Sequence, residues 1–455
     1  MKIESVNPYT AQKIKEYETL SFEDCKNIIS SSRASFPSWR KTPMEERTEI
    51  LSSVANRLRE NKKEYGRTIT SEMGKPIKEA VAEVEKCALL CDYYAEHSAN
   101  FLREEIIETE AVKSYVRFDP LGVIFCIMPW NFPFWQVFRF AVPAIAAGNV
   151  CVLKHASNVP ECALMIEKIF LESGLPDHIF KTLIIDAETA LKIIEEDLVD
   201  GISLTGSNLA GEKVGSAAGE KIKKIVLELG GSDPFIVLDD ANIDRAANMA
   251  VKARMFNTGQ SCIAAKRFIV MDSVYEKFKE KFIEYMNSLL VGDPMDEKTD
   301  VGPLARKEFV HDLEKQVEDA KNKGAEIVSC ASLPEGEGFF FQPTVVTGAI
   351  EGMAVMDEEV FGPVAPIISV KDEEEAIAVA NNTPYGLGAA IWSGNIERAE
   401  RLAKEINAGS IAINDMVKSD PRLPFGGVKK SGVGRELSHY GIKEFVNIKT
   451  VVANE

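Results

Sequence analysis

The sequence lacks paired cysteines, a basic surplus, long apolar runs and internal repeats, and each absence removes a class of function. Its eight cysteines are scattered over 455 residues. No CxxC pair or Cys/His set has the spacing of zinc ligands, so no metal site is assigned. Cys87 and Cys91 stand one helical turn apart, a helix-face spacing. Such usage suits reduced thiols in the cytoplasm. The net charge of −17 leaves no electrostatic footprint for nucleic acid or an anionic membrane. The longest apolar stretch, residues 140–153, contains Gly148 and Asn149 and is too short to cross a bilayer. Residues 1–5 carry no apolar signal region, so a cytoplasmic location is expected.

What is present is an ordinary globular composition, 45% hydrophobic and 27% charged, in a chain too long for a single core. Amphipathic helices are expected over 44–58 and 80–94, with a Gly-Pro break at Gly74-Lys75-Pro76 between them. Residues 104–109 and 111–117 read as a β-hairpin that cannot support itself; it pairs with another subunit or remains a solvated ribbon. A lone terminal strand at 445–452 is a partner for it within an assembly.

Short apolar runs at 122–127, 150–153, 182–185, 201–204 and 224–227 alternate with helical patterns such as 161–173 and 188–195. This is the rhythm of buried parallel strands with crossover helices. A second series of strands, at 234–238, 267–270, 364–370, 389–392 and 410–413, alternates with helices at 274–290, 308–323 and 373–381. The expected fold class is therefore α/β, with two doubly wound α/β domains and a small β element. Residues 1–101 and 119–230 form the first domain, 231–432 the second, and 102–118 with 433–455 the β element.

Doubly wound sheets bind ligands at the carboxyl ends of their strands. Three ends in the first domain carry polar residues: Pro129-Trp130-Asn131-Phe132-Pro133, Lys154-His155-Ala156-Ser157 and Thr205-Gly206-Ser207-Asn208-Leu209-Ala210-Gly211. The last opens a helix and either presents amides to a phosphate or is plain turn chemistry. In the second domain, residues 256–268 set one cysteine, Cys262, among polar and small residues, with Gly259 free to take a φ that other residues resist. Cys262 is either a packing cysteine in a turn or a reactive thiol.

Together these pieces resemble the aldehyde dehydrogenase superfamily almost end to end. The resemblance is carried by Pro129-Trp130-Asn131-Phe132-Pro133, Leu227-Glu228-Leu229-Gly230-Gly231, Asn257-Thr258-Gly259-Gln260-Ser261-Cys262, Glu358-Glu359-Val360-Phe361-Gly362-Pro363 and Pro424-Phe425-Gly426-Gly427-Val428-Lys429. It implies an NAD(P)-dependent enzyme that converts an aldehyde to its carboxylate through a cysteine thiohemiacetal and a thioester. Cys262 is then the nucleophile, Asn131 an oxyanion donor with the Cys262 N–H, Glu228 the general base and Glu436 a proton relay. Cofactor contacts carry over to Trp130, Lys154, Ser157, Gly206, Ser207, Gly211, Glu359 and Phe361.

NAD-preferring members often have glutamate where this chain has Ser157, so NADP is the preferred cofactor with NAD as the alternative; otherwise Ser157 caps the following helix. The nearest subgroup is the bacterial and archaeal succinate-semialdehyde dehydrogenases. Arg139, Phe132 and Ser419 are the substrate contacts this implies, with Arg139 facing the substrate carboxylate unless it forms a surface or interface ion pair. Phe256 stands where some members place a second arginine, and Lys418, Ser419 or Arg422 compensates. Lactaldehyde, glyceraldehyde and aliphatic aldehydes are alternative substrates, and a non-catalytic binding protein on the same fold is the alternative class. The expected partners are a small aldehyde and further copies of the chain, as a homodimer or homotetramer. Ile263 leaves the nucleophile without a neighbouring cysteine, so a local disulfide switch is excluded.

Overall fold

The computed structural model describes residues 2–455. Its first sheet has six strands in the order Gly432–Val433, Lys224–Glu228, Gly201–Thr205, Val123–Met128, Val150–His155 and Phe180–Thr182. All pairings are parallel except that of Gly432–Val433. From Val123–Met128 the chain moves outward to one side, then returns to place Gly201–Thr205 on the other. That reversal is a topological switch point, where the strand ends splay and leave a crevice. The crevice falls between the ends that carry Trp130-Asn131 and Gly206-Ser207.

The second sheet has seven strands, in the order Glu326–Ser329, Thr344–Thr347, Val364–Val370, Ala265–Met271, Asp233–Val237, Gly388–Trp392 and Ser410–Ile413. Its central strands are buried along their length, as near-continuous apolar runs require. The two-sheet architecture follows the strand rhythm of the sequence.

Five details differ from expectation. Strand Phe180–Thr182 starts and ends earlier than 182–185; past its end only the Leu183 N–H still reaches the neighbouring strand, donating to the Leu153 carbonyl at 2.7 Å. Strands Lys2–Val6 and Lys13–Glu18 form an unanticipated antiparallel pair; their alternating lysines and glutamates hide strand character in sequence but cross-pair on the surface. The antiparallel edge pair Glu326–Ser329 and Thr344–Thr347 was also not expected. Residues 432–433 join the first sheet, although the sequence places 433 in the terminal β element. In that element the hairpin's first strand shrinks to Glu105–Ile106, while Val446–Ala453 pairs with Lys113–Pro120 of the same chain over eight residues.

Helix Trp135–Ala146 is buried on every side, with Gln136 and Arg139 polar among apolar neighbours. Its entry is held by charge. The Glu83 carboxylate, on helix Ile77–Phe101, accepts the N–H groups of Phe134 and Trp135, each at 2.9 Å, and pairs with the fully buried Lys75. The Lys75 ammonium lies 3.7 Å from the Phe132 ring centroid. The loop that carries Asn131 is thereby tied to the helical layer behind it. Replacing one partner leaves the other charge buried and unpaired, at a cost of about 3–5 kcal/mol. Lys75→Met is therefore expected to lower the urea denaturation midpoint sharply, and Lys75→Met/Glu83→Gln to recover part of the loss.

Candidate active site

The segment around Cys262 is bent by three consecutive left-handed residues, Asn257 (φ 54°), Thr258 (φ 56°) and Gly259 (φ 75°). Asparagine and glycine accept this region readily, whereas a β-branched threonine is strained by about 1–3 kcal/mol. Tertiary bonds offset the strain. The Thr258 hydroxyl donates to the Gly302 carbonyl and accepts the Gly302 N–H at 3.0 Å. The Asn257 N–H donates to Glu79 at 2.8 Å, and its side-chain amide donates to the carbonyls of Asn131 and Gln260. A Cβ on Gly259 would stand 2.3 Å from the Gly362 carbonyl oxygen, so glycine is required there by contact as well as by φ.

Two buried cations clamp the same segment. Arg254 donates to the carbonyls of Gly259 and Ala265, and Lys266 donates to those of Ser261 (3.0 Å) and Cys262 (2.7 Å). Lys266 also pairs with Glu359 at 3.2 Å.

Two cavities meet at Cys262. One, of about 650 Å3, opens over the switch point and is lined by Trp130, Asn131, Gly206, Ser207, Glu359 and Phe361 among others. Trp130 stacks on Phe309 (centroids 4.9 Å apart) and meets Phe361 edge-on at 5.7 Å. The other, of about 290 Å3, is a mostly apolar tunnel walled by Phe132, Trp135, Phe256 and Phe425, with Arg139, Lys86 and Ser419 also facing it. Cys262 and Gln136 line both. Asn131, on the wall of the first cavity, donates one amide hydrogen to the Gln260 carbonyl at 3.1 Å.

Other predicted residues are placed differently. Gly211 lies inside helix Asn208–Glu220, where a Cβ would meet the Leu229 side chain at 2.6 Å; it serves close packing of helix on strand and does not line the cavity. Ser207 caps that helix, accepting the Ala210 N–H. Lys154 is the penultimate residue of strand Val150–His155 and Ser157 follows its end; neither is among the cavity's lining residues. Ser157 does not cap helix Pro160–Glu172; Glu72 does, accepting the N–H groups of Glu161 and Cys162. Lys154 forms no ion pair among the described residues, and burial lowers its pKa.

Arg139 lines the tunnel, but its guanidinium is engaged. It pairs with Glu436 and lies 4.5 Å over the Phe425 ring. Glu228 ends its strand with neither carboxyl oxygen hydrogen-bonded and lines neither cavity. Burial, then the nearby Glu436, push its pKa well above the carboxylate range, against the pull of Arg139 and Arg435. The favoured form is a neutral carboxyl poised to lose its proton once water or ligand solvates it.

Sequence reasoning missed Gln136, Phe309 and Lys86. Gln136 left a faint signal, as a polar residue in an otherwise apolar helix. Lys86 left none, because a lysine in an amphipathic helix reads as a solvated charge.

The Cys262 thiol is reachable through both cavities yet walled by protein, and burial pushes its pKa up to about 12, against the pull of Lys266 and Arg139. In the ligand-free protein, iodoacetamide is expected to label Cys262 first, since the other seven cysteines are buried. Its labelling rate, followed by mass spectrometry, should rise about tenfold per pH unit through pH 10, as the thiolate fraction does. A plateau below pH 9 contradicts this.

A sequence model of the aldehyde dehydrogenase family matches residues 1–451. The chain is 47% identical over 451 residues to a probable NADP(+) succinate-semialdehyde dehydrogenase of Synechocystis sp., covering 99% of both chains. It is 44% identical over 454 residues to the NADP(+) succinate-semialdehyde dehydrogenase of Mycobacterium leprae, again covering 99% of each. Among solved structures, succinic semialdehyde dehydrogenase from Streptococcus pyogenes, in complex with NADP+, superposes with a TM-score of 0.97 at 37% identity over 100% of both chains. With the motifs, the two sheets and the cysteine segment in agreement with these matches, the chain belongs to the aldehyde dehydrogenase family.

Proposed function

We propose that this protein oxidises succinate semialdehyde to succinate with NADP, acting through Cys262. The observation that carries the proposal is that Cys262 lines both the switch-point cavity and the apolar tunnel, so one thiol reaches a cofactor and an aldehyde from opposite sides. The names of the relatives support the substrate and the cofactor.

The residues present fit a dinucleotide. Gly206 and Ser207 open a helix toward the cavity, Trp130 and Phe361 offer apolar walls, and Lys154 forms no ion pair among the described residues. Ser157 can donate to a 2′-phosphate where a carboxylate would repel it, with Lys154 beside it. Glu359, now bonded to the Gly231 N–H and Lys266, is the acceptor for a ribose hydroxyl. Bound NADP supplies the hydride acceptor.

The Cys262 thiol loses its proton to water and attacks the aldehyde carbon as a thiolate; the oxyanion that forms is held by the Asn131 amide and the Cys262 N–H, and its collapse expels the aldehyde hydrogen as hydride and leaves a thioester. Hydrolysis of the Cys262 thioester requires a base. Glu228 takes a proton from water, and Glu436, held by Arg139, passes it outward. The three-stranded sheet exposes Ile106, Ile448 and Val452, and the bend before its strand Lys113–Pro120 exposes Val112; we place the homodimer or homotetramer contact there.

NADPH absorbance with a panel of aldehydes tests the proposal. Succinate semialdehyde should give a higher kcat/KM than lactaldehyde or butanal, and Cys262→Ala should abolish turnover. The apolar walls favour an uncharged aldehyde as the second reading, which higher activity on butanal would select. Glu228→Gln should retain a burst of NADPH and slow steady-state turnover by about 100-fold or more, the scale of a lost general base. Loss of the burst would put Glu228 before the redox step. Ser157→Glu should shift the kcat/KM ratio toward NAD; a wild type that strongly prefers NAD would contradict the cofactor assignment.

A further inference from the structure

The second cavity needs a cation if its substrate carries a carboxylate, and its obvious candidates are already paired. Arg139 is bound to Glu436 and Lys75 to Glu83. In the late loop, Lys418 is bound to Asp415 at 2.8 Å and Arg422 to Asp420 at 2.7 Å. Lys75, Lys418 and Arg422 would have to leave or share a carboxylate to take another, and Arg139 would have to divide its guanidinium between Glu436 and a second one, so the exchange gains little.

One face of helix Ile77–Phe101 borders the tunnel, presenting Glu79, Ala82, Glu83 and Lys86 at helical spacing. Glu79 is taken by the Asn257 N–H, and Glu83 by Lys75 and the Phe134 and Trp135 N–H groups. Lys86 is different. Its ammonium donates to the Ser419 hydroxyl at 2.7 Å, lies 4.1 Å over the Trp135 ring, and has no carboxylate partner among the described residues. It is a fixed, open cation on an apolar wall, with a hydroxyl beside it.

We infer that Lys86, with Ser419, receives the substrate's distal carboxylate, and that Arg139 serves Glu436 instead. The inference rests on the succinate semialdehyde reading. A carboxylate entering the tunnel accepts from the Lys86 ammonium with one oxygen and from the Ser419 hydroxyl with the other. In the apolar tunnel such charge-assisted bonds are strong. The ring of Trp135 holds the ammonium in place before substrate arrives. Ser419 was expected at the substrate from the resemblance; Lys86 explains how a hydroxyl there can act on a carboxylate.

The local charges make the site titratable. Burial, helped by Arg139, lowers the Lys86 pKa to about 8, while Cys87, Glu83 and Asp420 oppose the shift. The cation is present below that value and lost above it. The ratio of kcat/KM for succinate semialdehyde to that for butanal isolates this effect, because Cys262 and Glu228 act on both substrates alike. The ratio should fall about 30-fold in Lys86→Met, the scale of one lost charge-assisted bond, and recover substantially in Lys86→Arg. In the wild type it should decline above pH 8, and in Lys86→Arg it should stay level.

A high wild-type ratio that Lys86→Met leaves unchanged overturns the inference while the substrate reading stands. A wild-type ratio near or below one overturns the substrate reading and the inference with it. If Lys86→Met fails to fold, the comparison of the pH profiles of wild type and Lys86→Arg decides; profiles that coincide overturn the inference.

Discussion

The fully buried ammonium of Lys266 joins the backbone of the cysteine segment to the mouth of the second sheet, and the rest of the site is arranged around that tie. By donating to the carbonyls of Ser261 and Cys262 it turns both peptide units toward the protein interior. Arg254 does the same one turn earlier, and Glu79 and Gly302 hold the strained left-handed turn between them. A thiol on a free loop would sample many positions. Held this way, it stays at the one place where the two cavities join.

Buried charge is the second organising constraint. Ionic groups inside a protein are tolerated when paired and hydrogen-bonded. Most of those near the site obey this: Lys75 with Glu83, Arg139 with Glu436, Lys266 with Glu359. The groups that do not are informative for that reason. Lys154 near the end of strand Val150–His155 and Lys86 on the tunnel wall both have their pKa lowered by burial and form no ion pair among the described residues. Glu228, with no hydrogen-bond partner for its oxygens, is the acidic counterpart. Pairing with a carboxylate, or for Arg254 with the backbone carbonyls it clamps, thus separates the residues that build the site from those left open to a ligand.

Much of the fold was legible because buried parallel strands are short apolar runs, and such runs punctuated by helices admit few architectures. The exceptions have local causes. Lys2–Val6 and Lys13–Glu18 look polar because their alternating charges meet only across strands. Strand Phe180–Thr182 lies at the sheet edge, and the Thr182 N–H on its open side is taken by Glu167 of helix Pro160–Glu172. In the site, motif residues such as Asn131, Glu359 and Cys262 could be named from spacing and resemblance. Gly211, which the resemblance places in the pyrophosphate turn, also packs against Leu229, and a glycine required for packing and one required for ligand approach look the same in sequence.

The sequence by itself determined the α/β class, the strand ends that carry polar residues, and the cysteine set apart from the apolar runs, since these depend on local composition and periodicity. Tertiary structure alone decided which charges were free. Arg139 and Lys86 are both cations on helices, and nothing along the chain ranks one above the other. Their difference arises because Glu436, nearly three hundred residues beyond Arg139, folds back beside it, while what folds back beside Lys86 is the hydroxyl of Ser419. Electrostatic pairing is a property of distances in space, and only the packed chain sets those.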